Sequence, residues 1–268
     1  NISMFQYFKK RVDMLFEEIV FGPIKSRRLG VSLGVNVLPT EKKYCSFNCI
    51  YCECGWNKID TSIQVPLNKR EDIKKALYKK LSESTKEFNT TIDSITFSGN
   101  GEPTLHPDIL GIVEDVIELR NQYCLQAKIT ILSNSTNLVR EDVFKALQLI
   151  DNPILKIDAG TERMYKLINE PVSCSFEQIK QKLIEFGSKC IVQTLLLRGE
   201  CKGEKIDNTS EEEFTAWLEI VKQISPKSVM LYSIDRETPE KNLEKLLIPE
   251  LEQYAERVRA LGIETNTY

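Results

Sequence analysis

The chain has 268 residues, of which 41% are hydrophobic and 28% are charged, an ordinary composition for a globular protein with a sizeable core. Its formal net charge of −3 gives no general indication of nucleic-acid binding. Eight cysteines are too sparse for a disulfide-stabilised secreted scaffold, and no apolar run is long enough for a membrane span, so we expect a cytoplasmic protein without a membrane partner.

The first part of the chain is basic and amphipathic. Residues 1–22 mix charged with apolar positions, which is typical of an amphipathic helix and not of a signal peptide. Residues 1–50 contain 8 Lys and Arg against 4 Asp and Glu, whereas residues 200–268 contain 9 against 15. The basic end forms either a solvated surface or a rim that binds an anion, and the second alternative predicts an anionic substrate.

Short strands alternate with helices along the rest of the chain. Repeated strand–helix units favour a parallel sheet with crossover helices. Six units are fewer than the eight of a closed barrel, so we predict an α/β fold, a partial (β/α)6 barrel. It forms a single domain over residues 1–268 with a helical N-terminal extension at about 1–22. The predicted strands, rich in Val, Ile and Thr, are residues 30–38, 94–98, 128–132, 154–157, 190–197 and 228–233.

Unusual sequences follow four of the predicted strands. Folds of this kind place their chemistry at the carboxyl ends of the strands, so these sequences should share one rim. In chain order they are CSFNCIYCECG at residues 45–55, GNGEPT at residues 99–104, the pair Ser133 and Asn134, and Asp158.

The cysteine run indicates a metal or redox centre. A zinc site usually takes two ligand pairs separated by a longer loop, whereas four cysteines lie here within ten residues, and the only histidine, His106, is distant. A redox pair of Cys49 and Cys52 would leave Cys45 unexplained. Thiolates favour iron–sulfur clusters, and a [4Fe–4S] cluster normally takes four of them. Three ligands in one loop would leave one iron open to a small molecule.

The spacing C-x3-C-x2-C, with Tyr51 before the third cysteine, resembles the signature of the radical S-adenosylmethionine (SAM) superfamily. GNGEPT resembles the GGEP motif of that superfamily, with Asn100 in place of the first glycine. The resemblance implies an enzyme in which one [4Fe–4S] cluster and SAM generate a 5′-deoxyadenosyl radical that removes a hydrogen atom from a substrate. It also implies that the cluster ligands are Cys45, Cys49 and Cys52.

The resemblance implies roles for further residues. Tyr51 would lie beside the adenine of SAM, and Gly101 and Glu102 would meet its amino group. Four polar residues at strand ends would bind SAM elsewhere, although a polar strand end is also an ordinary start of a loop. These four are Ser133, Asn134, Lys156 and Asp158.

A closer resemblance, to the wyosine-synthase-like branch of the superfamily, rests on FGPIKSRRLGVSLGVN, LINEP and LYSIDRETPEKNLEKL among other stretches. That branch includes tRNA-modifying enzymes with a second iron–sulfur cluster. No cysteine precedes Cys45 in this sequence, and the chain has no overall basic excess. We therefore expect a relative with another substrate, and tRNA is a disfavoured partner.

Two other functions stay open at this point. One is an activating enzyme that installs a glycyl radical on a partner protein. The other is a regulatory module that binds SAM and a cluster without turnover. A radical enzyme would be oxygen-sensitive, would work anaerobically, and would need an electron donor such as flavodoxin or ferredoxin.

Several other residues have both a functional and a structural interpretation. Arg27 and Arg28 would bind a substrate anion or form a surface pair. Arg236 would face the site or pair with a nearby carboxylate. His106 would move a proton or hold a turn. The remaining cysteines would be small buried residues or ligands of a second cluster, and they are Cys54, Cys124, Cys174, Cys190 and Cys201.

Overall fold

The computed structural model describes residues 15–57, 66–87, 91–172 and 174–268. The chain divides into two compact units. We name Leu15–Ser46 with Lys58–Leu155 the amino-terminal unit, and Phe47–Asn57 with Lys156–Tyr268 the carboxy-terminal unit. Of the helices within the described ranges, none combines the length and the apolarity that crossing a bilayer requires.

Five strands of the amino-terminal unit follow the order β1-β2-β3-β4-β5. β1 and β2 are antiparallel, and the neighbours from β2 onward are parallel, which requires crossover connections. Helices α1, α2 and α3 supply these connections after β2, β3 and β4. The strands are β1 (Val20–Ser26), β2 (Gly30–Val35), β3 (Ser94–Phe97), β4 (Lys128–Ser133) and β5 (Asn152–Lys156), and the helices are α1 (Arg70–Glu87), α2 (Ile109–Tyr123) and α3 (Glu141–Gln148).

The carboxy-terminal unit contains a parallel group of strands, β6-β9-β11, and an antiparallel group, β10-β7-β8. Its core includes Trp217, whose ring stacks on Phe214 at 5.1 Å and whose Nε1 donates a hydrogen bond to the carbonyl of Ile157. The strands are β6 (Ile191–Leu195), β7 (Leu197–Cys201), β8 (Glu204–Asp207), β9 (Ser228–Tyr232), β10 (Leu243–Lys245) and β11 (Thr265–Thr267), and the helices are α4 (Glu162–Asn169), α5 (Phe176–Phe186), α6 (Glu211–Ile224) and α7 (Ile248–Arg259).

The α/β fold with mostly parallel strands confirms the predicted fold class. All six predicted strands are present, although the run predicted at 190–197 divides into β6 and the start of β7. The single domain over residues 1–268 stays a prediction. The helical extension predicted at about 1–22 falls mainly on residues 1–14, outside the described residues, and its end is wrong because β1 begins at Val20.

The sequence pattern does not predict β1, because Gly22 and Pro23 lie inside it and disfavour a strand. The pairing of β1 with β2 shifts register between Phe21 and Ile24, so Gly22 and Pro23 lie at an irregularity of the strand. Proline, which has no N–H to donate, is tolerated at such a position in an edge strand.

Candidate functional site

In the amino-terminal unit, the loop after β3 contacts the end of β4 through the carboxylate of Glu102. This carboxylate accepts hydrogen bonds from the Ser133 hydroxyl at 2.9 Å, the Asn134 N–H at 2.6 Å and the Thr104 N–H at 3.0 Å. Burial raises the pKa of Glu102, and the hydrogen bonds from Asn134 and Thr104 only partly oppose this. Glu102 therefore joins the two strand ends, and its predicted contact with the amino group of SAM stays a prediction.

Asn134 extends these contacts to the first cysteine of the run. Its side-chain amide donates to the Ser46 hydroxyl at 2.9 Å and to the sulfur of Cys45 at 3.6 Å. Its side-chain oxygen accepts from the N–H of Thr136 at 3.1 Å, which fixes the orientation of the amide. Cys45, Glu102, Ser133 and Asn134, all predicted as site residues, thus lie in one hydrogen-bonded group.

Gly101 allows two stretches of backbone to approach each other. The Tyr44 N–H donates to the carbonyl of Asn100 at 2.7 Å, and the Glu102 N–H donates to the carbonyl of Tyr44 at 3.0 Å. A Cβ on Gly101 would lie 1.9 Å from that carbonyl oxygen, and its φ of +145° already disfavours other residues. The glycine therefore holds Tyr44, and with it Cys45, beside the GNGEPT loop.

Asn100, which departs from the GGEP pattern, has a structural role of its own. Its side-chain amide donates to the carbonyls of Phe16 and Pro39, both at 2.9 Å, and its side-chain oxygen accepts from the Phe16 N–H at 2.7 Å. The residue has no exposed surface. The amide therefore fixes the loop after β2 to the loop after β3, which a glycine could not do.

In the carboxy-terminal unit, Tyr51, Lys156 and Asp158 form a second group. The Tyr51 hydroxyl donates a short hydrogen bond to Asp158 and accepts one from the Lys156 ammonium at 2.9 Å. The ammonium lies 5.0 Å from the centre of the Tyr51 ring. Burial and the Asp158 carboxylate raise the pKa of Tyr51, so the phenol is neutral. Burial opposes the charge on Lys156, but Tyr232 and Asp158 raise its pKa overall, so it is an ammonium at neutral pH.

Asn169, which sequence analysis missed, connects this group to Cys49. Its side-chain amide donates to the sulfur of Cys49 at 3.4 Å and to Asp158 at 3.0 Å. Asp158 also accepts from the Leu195 N–H at 2.9 Å, so the carboxylate is held from three sides when Tyr51 is included. Asn169 lies in LINEP, one of the stretches that resemble the wyosine-synthase-like branch. That resemblance is the only sequence feature above that could have indicated a role for Asn169.

The cysteine loop is anchored on the carboxyl end of α4. The N–H groups of Asn48 and Ile50 donate to the carbonyls of Asn169 and Ile168 at 2.9 and 3.0 Å. Carbonyls in the last turn of a helix have no partner within the helix, so they are available to a neighbouring segment. These bonds place Cys49 between two fixed residues.

None of the predicted ligands Cys45, Cys49 and Cys52 forms a disulfide, and Cys49 is buried. No set of three or more His, Cys, Asp or Glu side chains within the described ranges is placed to hold a metal ion. The chemistry of the donor set nevertheless fits a cluster. Amides of Asn134 and Asn169 donate to the sulfurs of Cys45 and Cys49. Burial raises the pKa of Cys49, and the charge of Lys156 and the Asn169 hydrogen bond oppose this by favouring the thiolate form that ligates iron.

Comparison with known proteins identifies the family. The model of the radical SAM superfamily matches residues 43–209. The chain belongs to the radical SAM superfamily. The predicted superfamily is therefore confirmed, and the matched residues include the cysteine run and the GNGEPT loop.

The chain matches different fractions of the length of its relatives. A protein named "GTPase Obg" from Brachyspira hyodysenteriae is 32% identical over 239 residues, which cover 87% of this chain and 32% of that protein. A "UPF0026 protein" from Helicobacter pylori strain J99 is 30% identical over 224 residues, covering 81% of this chain and 67% of that protein. The chain thus spans about a third of the first relative and two thirds of the second.

Solved structures agree with the radical SAM fold. A radical SAM methyltransferase from Sphaerobacter thermophilus superposes with a TM-score of 0.60 at 13% sequence identity. The matched region covers 88% of this chain and 65% of the methyltransferase chain. A structure described as TYW1 with a lysine-pyruvate adduct bound superposes with a TM-score of 0.58 at 16% sequence identity. The matched region covers 85% of this chain and 73% of the TYW1 chain. At these identities the likeness concerns the fold alone.

Other residues considered from the sequence lie elsewhere in this radical SAM protein. Arg28 lines an open pocket of about 370 Å³ at the amino ends of strands in the amino-terminal unit, beside Lys128 and Asn152. The predicted site residues of that unit follow the carboxyl ends instead. Arg236 forms a short ion pair with Glu53 of the cysteine run, and not with the adjacent Asp235 or Glu237 that the sequence suggested as a partner.

Among the described residues, no three of the remaining cysteines, with or without His, Asp or Glu, are placed to hold a metal ion. Cys190 and Cys201 are buried, and burial raises the pKa of Cys190 to about 12 and that of Cys201 to about 11. Cys54, Cys124 and Cys174 are partly exposed. Burial as neutral thiols accounts for Cys190 and Cys201 as small apolar residues.

His106 holds a turn. Its Nδ1 accepts from the N–H of Asp108 at 3.1 Å, so its Nε2 carries the proton and donates to the carbonyl of Asn68 at 2.8 Å. We expect His106→Ala to lower the free energy of unfolding by about 2 kcal/mol, because the buried imidazole and its two partly buried hydrogen bonds to the backbone are removed. The activity per folded molecule should stay unchanged. Urea unfolding and turnover measured on the same sample check this, and loss of turnover without loss of stability would restore the proton-transfer role.

Proposed function

We propose that this chain is a radical SAM enzyme in which Cys45, Cys49 and Cys52 hold one [4Fe–4S] cluster and SAM is cleaved to attack an unidentified substrate. When bound and reduced, such a cluster supplies the electron that splits SAM into methionine and a 5′-deoxyadenosyl radical. The strongest support for the proposal is a pair of hydrogen bonds to cysteine sulfurs. The sulfurs of Cys45 and Cys49 each accept a hydrogen bond from an asparagine amide.

Each of these asparagines is itself fixed by a buried carboxylate. Asn134 donates its backbone N–H to Glu102, and Asn169 donates its amide to Asp158. A buried carboxylate thus holds each asparagine whose side-chain amide donates to a sulfur, through the backbone at Asn134 and through the side chain at Asn169. An amide held in this way stabilises a thiolate without being able to take up its proton, which suits a permanent iron ligand.

The other predicted residues have defined tasks under this proposal. The backbone around Gly101, which has no side chain to obstruct approach, receives the amino group of SAM. Tyr51 supports the adenine, and its ring orientation is held by Asp158 and Lys156. Ser133 and Lys156 contribute a hydroxyl and a positive charge for the remaining polar groups of SAM.

A narrower placement in the wyosine-synthase-like branch is part of the proposal and is supported by the stretches that resemble it, such as LINEP. tRNA is a disfavoured substrate under this proposal, since the chain has a net charge of −3. A tRNA-modifying wyosine-type enzyme, a glycyl-radical activating enzyme and a regulatory module are the alternatives. The flavodoxin or ferredoxin donor, the cytoplasmic location and the anaerobic conditions stay predictions.

Anaerobic reconstitution with iron and sulfide tests the proposal. We expect about four iron atoms per chain, a brown protein, and 5′-deoxyadenosine after reduction and addition of SAM. Cys49→Ala should lose the cluster and the product. Cys190→Ala, which changes a buried cysteine outside the run, should keep both and is the matched control.

The outcomes separate the alternatives. A full cluster without 5′-deoxyadenosine, even in the presence of candidate substrates, would favour the regulatory module. If the wild-type chain takes up no iron and sulfide and retains zinc instead, the proposal of a [4Fe–4S] cluster is wrong.

A further inference from the structure

Gln193, on β6, carries a buried hydrogen-bond donor for which the described part of the chain supplies no acceptor. The residue is 5% exposed, and its Nε2 is buried with no hydrogen-bond partner within the described residues. Buried donors are nearly always satisfied in native proteins, because an unmet donor destabilises the fold. A donor that the protein leaves open is therefore a candidate for contact with a ligand.

The register of β6 places Gln193 beside Lys156. The N–H of Ile157 donates to the carbonyl of Gln193 at 3.2 Å. In a parallel ladder this bond pairs Ile157 with Thr194 and Lys156 with Gln193, and the hydrogen bond from the Thr194 hydroxyl to the Ile157 carbonyl agrees with it. Paired residues on parallel strands direct their side chains to the same face. The amide of Gln193 and the ammonium of Lys156 are therefore neighbours.

This shared face is the face of the candidate cofactor group. The Lys156 ammonium lies over the Tyr51 ring, and Tyr51 lies between Cys49 and Cys52 in the chain. The opposite face of β6 is closed, since Val192 and Thr194 have no exposed surface. Gln193 is thus on the side where the radical chemistry is proposed.

The chemical class of the ligand follows from the two donors. An amide N–H and an ammonium can both donate to one oxygen group, and a carboxylate suits them because it accepts from several donors and balances the positive charge. Asp158, the nearby acid, accepts hydrogen bonds from Leu195, Tyr51 and Asn169 and also stabilises the Lys156 ammonium, so a carboxylate of the ligand would share that ammonium with Asp158.

We propose that Gln193 and Lys156 form a two-donor site for a carboxylate of the ligand that reacts in this enzyme. The proposal rests on the proposed function and assigns a chemical class to what binds there. SAM and a carboxylic acid substrate both carry the group, and the experiment below distinguishes them.

Stability gives the first test. Gln193→Leu removes the open donor and keeps the size of the side chain, so its thermal midpoint should equal or exceed that of the wild type. A protein partner for the amide would instead make this variant less stable than the wild type, which would overturn the proposal. Gln223→Leu, at an exposed position on α6, is the matched control for the substitution itself.

Binding gives the second test, on the full-length chain without iron and labelled with 15N in its glutamine side chains. The Gln193 amide signal, assigned by its absence in Gln193→Leu, should shift with added acetate and saturate, and acetamide should bind at least tenfold more weakly. Lys156→Met should weaken acetate binding at least tenfold. Gln193→Glu, which places a negative charge in the site, should abolish it. The other glutamine signals serve as internal controls.

Titration with SAM then identifies the source of the carboxylate. If SAM shifts the Gln193 signal and displaces acetate, the site binds the carboxylate of SAM. If acetate and SAM bind together, the site belongs to a carboxylic acid substrate. No shift with either compound would overturn the proposal. Because this readout requires neither iron nor turnover, its failure is distinguishable from failure of cluster assembly.

Discussion

Asp158→Ala should lower the free energy of unfolding of the iron-free protein by about 3 kcal/mol or more and reduce its iron content after reconstitution. Asp158 is 2% exposed and accepts hydrogen bonds from Tyr51, Asn169 and Leu195. Alanine would leave these donors without an acceptor, at about 1–3 kcal/mol for each one that water cannot reach. It would also leave the ammonium of Lys156 without its nearby acid. Urea unfolding followed by circular dichroism, and iron analysis, measure the two effects.

Asp158→Asn separates charge from shape in this prediction. Asparagine keeps an oxygen for the Leu195 N–H but turns an amide towards Asn169, which is also a donor, so we expect an intermediate loss of about 1–2 kcal/mol. Asp235→Ala, at an exposed ion pair with Lys245, should change stability by less than about 0.5 kcal/mol. An Asp158→Ala variant within 1 kcal/mol of the wild type would show that the carboxylate does not organise this group.

The difference between Asp158 and Asn169 shows which site residues the sequence could predict. Asp158 was found because it follows a strand of a recognisable fold, where polar residues are expected at the carboxyl end. Asn169 ends helix α4 and lies 120 positions from Cys49, so their contact exists only after folding. A polar residue at the end of a helix is common, and its pattern alone does not indicate a role at a cysteine.

Glu102 shows a different limit. The motif around it predicted the right position for the loop, because GNGEPT follows a short, buried β-branched run. The direction of its side chain depends on donors from β4, and these donors are the Ser133 hydroxyl and the Asn134 N–H. The sequence therefore indicated which residues would lie together and left open which of them would face a ligand.

The antiparallel strands β7 and β8 were missed for a local reason. They are joined at Lys202 and Gly203, which have φ values of +53° and +79°. Two consecutive positive φ values are typical of the tight turns that join hairpin strands, and lysine is an unusual residue for the first of them. Without Asn or Asp before the glycine, the hairpin signal was too weak to separate β7 from β6.

Gly101→Ala is expected to lower the free energy of unfolding by about 3 kcal/mol or more and to prevent cluster assembly. A methyl group would overlap the backbone carbonyl of Tyr44 at 1.9 Å, and backbone cannot move aside as a flexible side chain can. The positive φ of the residue adds strain of about 1–3 kcal/mol. Relief requires separating Tyr44 from the GNGEPT loop, which breaks the hydrogen bonds that place Cys45. Unfolding in urea and iron content after reconstitution are the measurements.

Gly203→Ala is the matched control, because it isolates backbone strain from steric overlap. Gly203 also has a positive φ, yet nothing lies within 4 Å of a Cβ built on it. We expect it to cost about 1 kcal/mol and to leave the iron content unchanged. If Gly101→Ala lowered the free energy of unfolding and the iron content no more than Gly203→Ala, the close approach of Tyr44 to Gly101 would contribute to neither stability nor cluster assembly. If instead Gly101→Ala folds stably but fails to bind iron, then the approach positions Cys45 for the cluster and contributes little to folding.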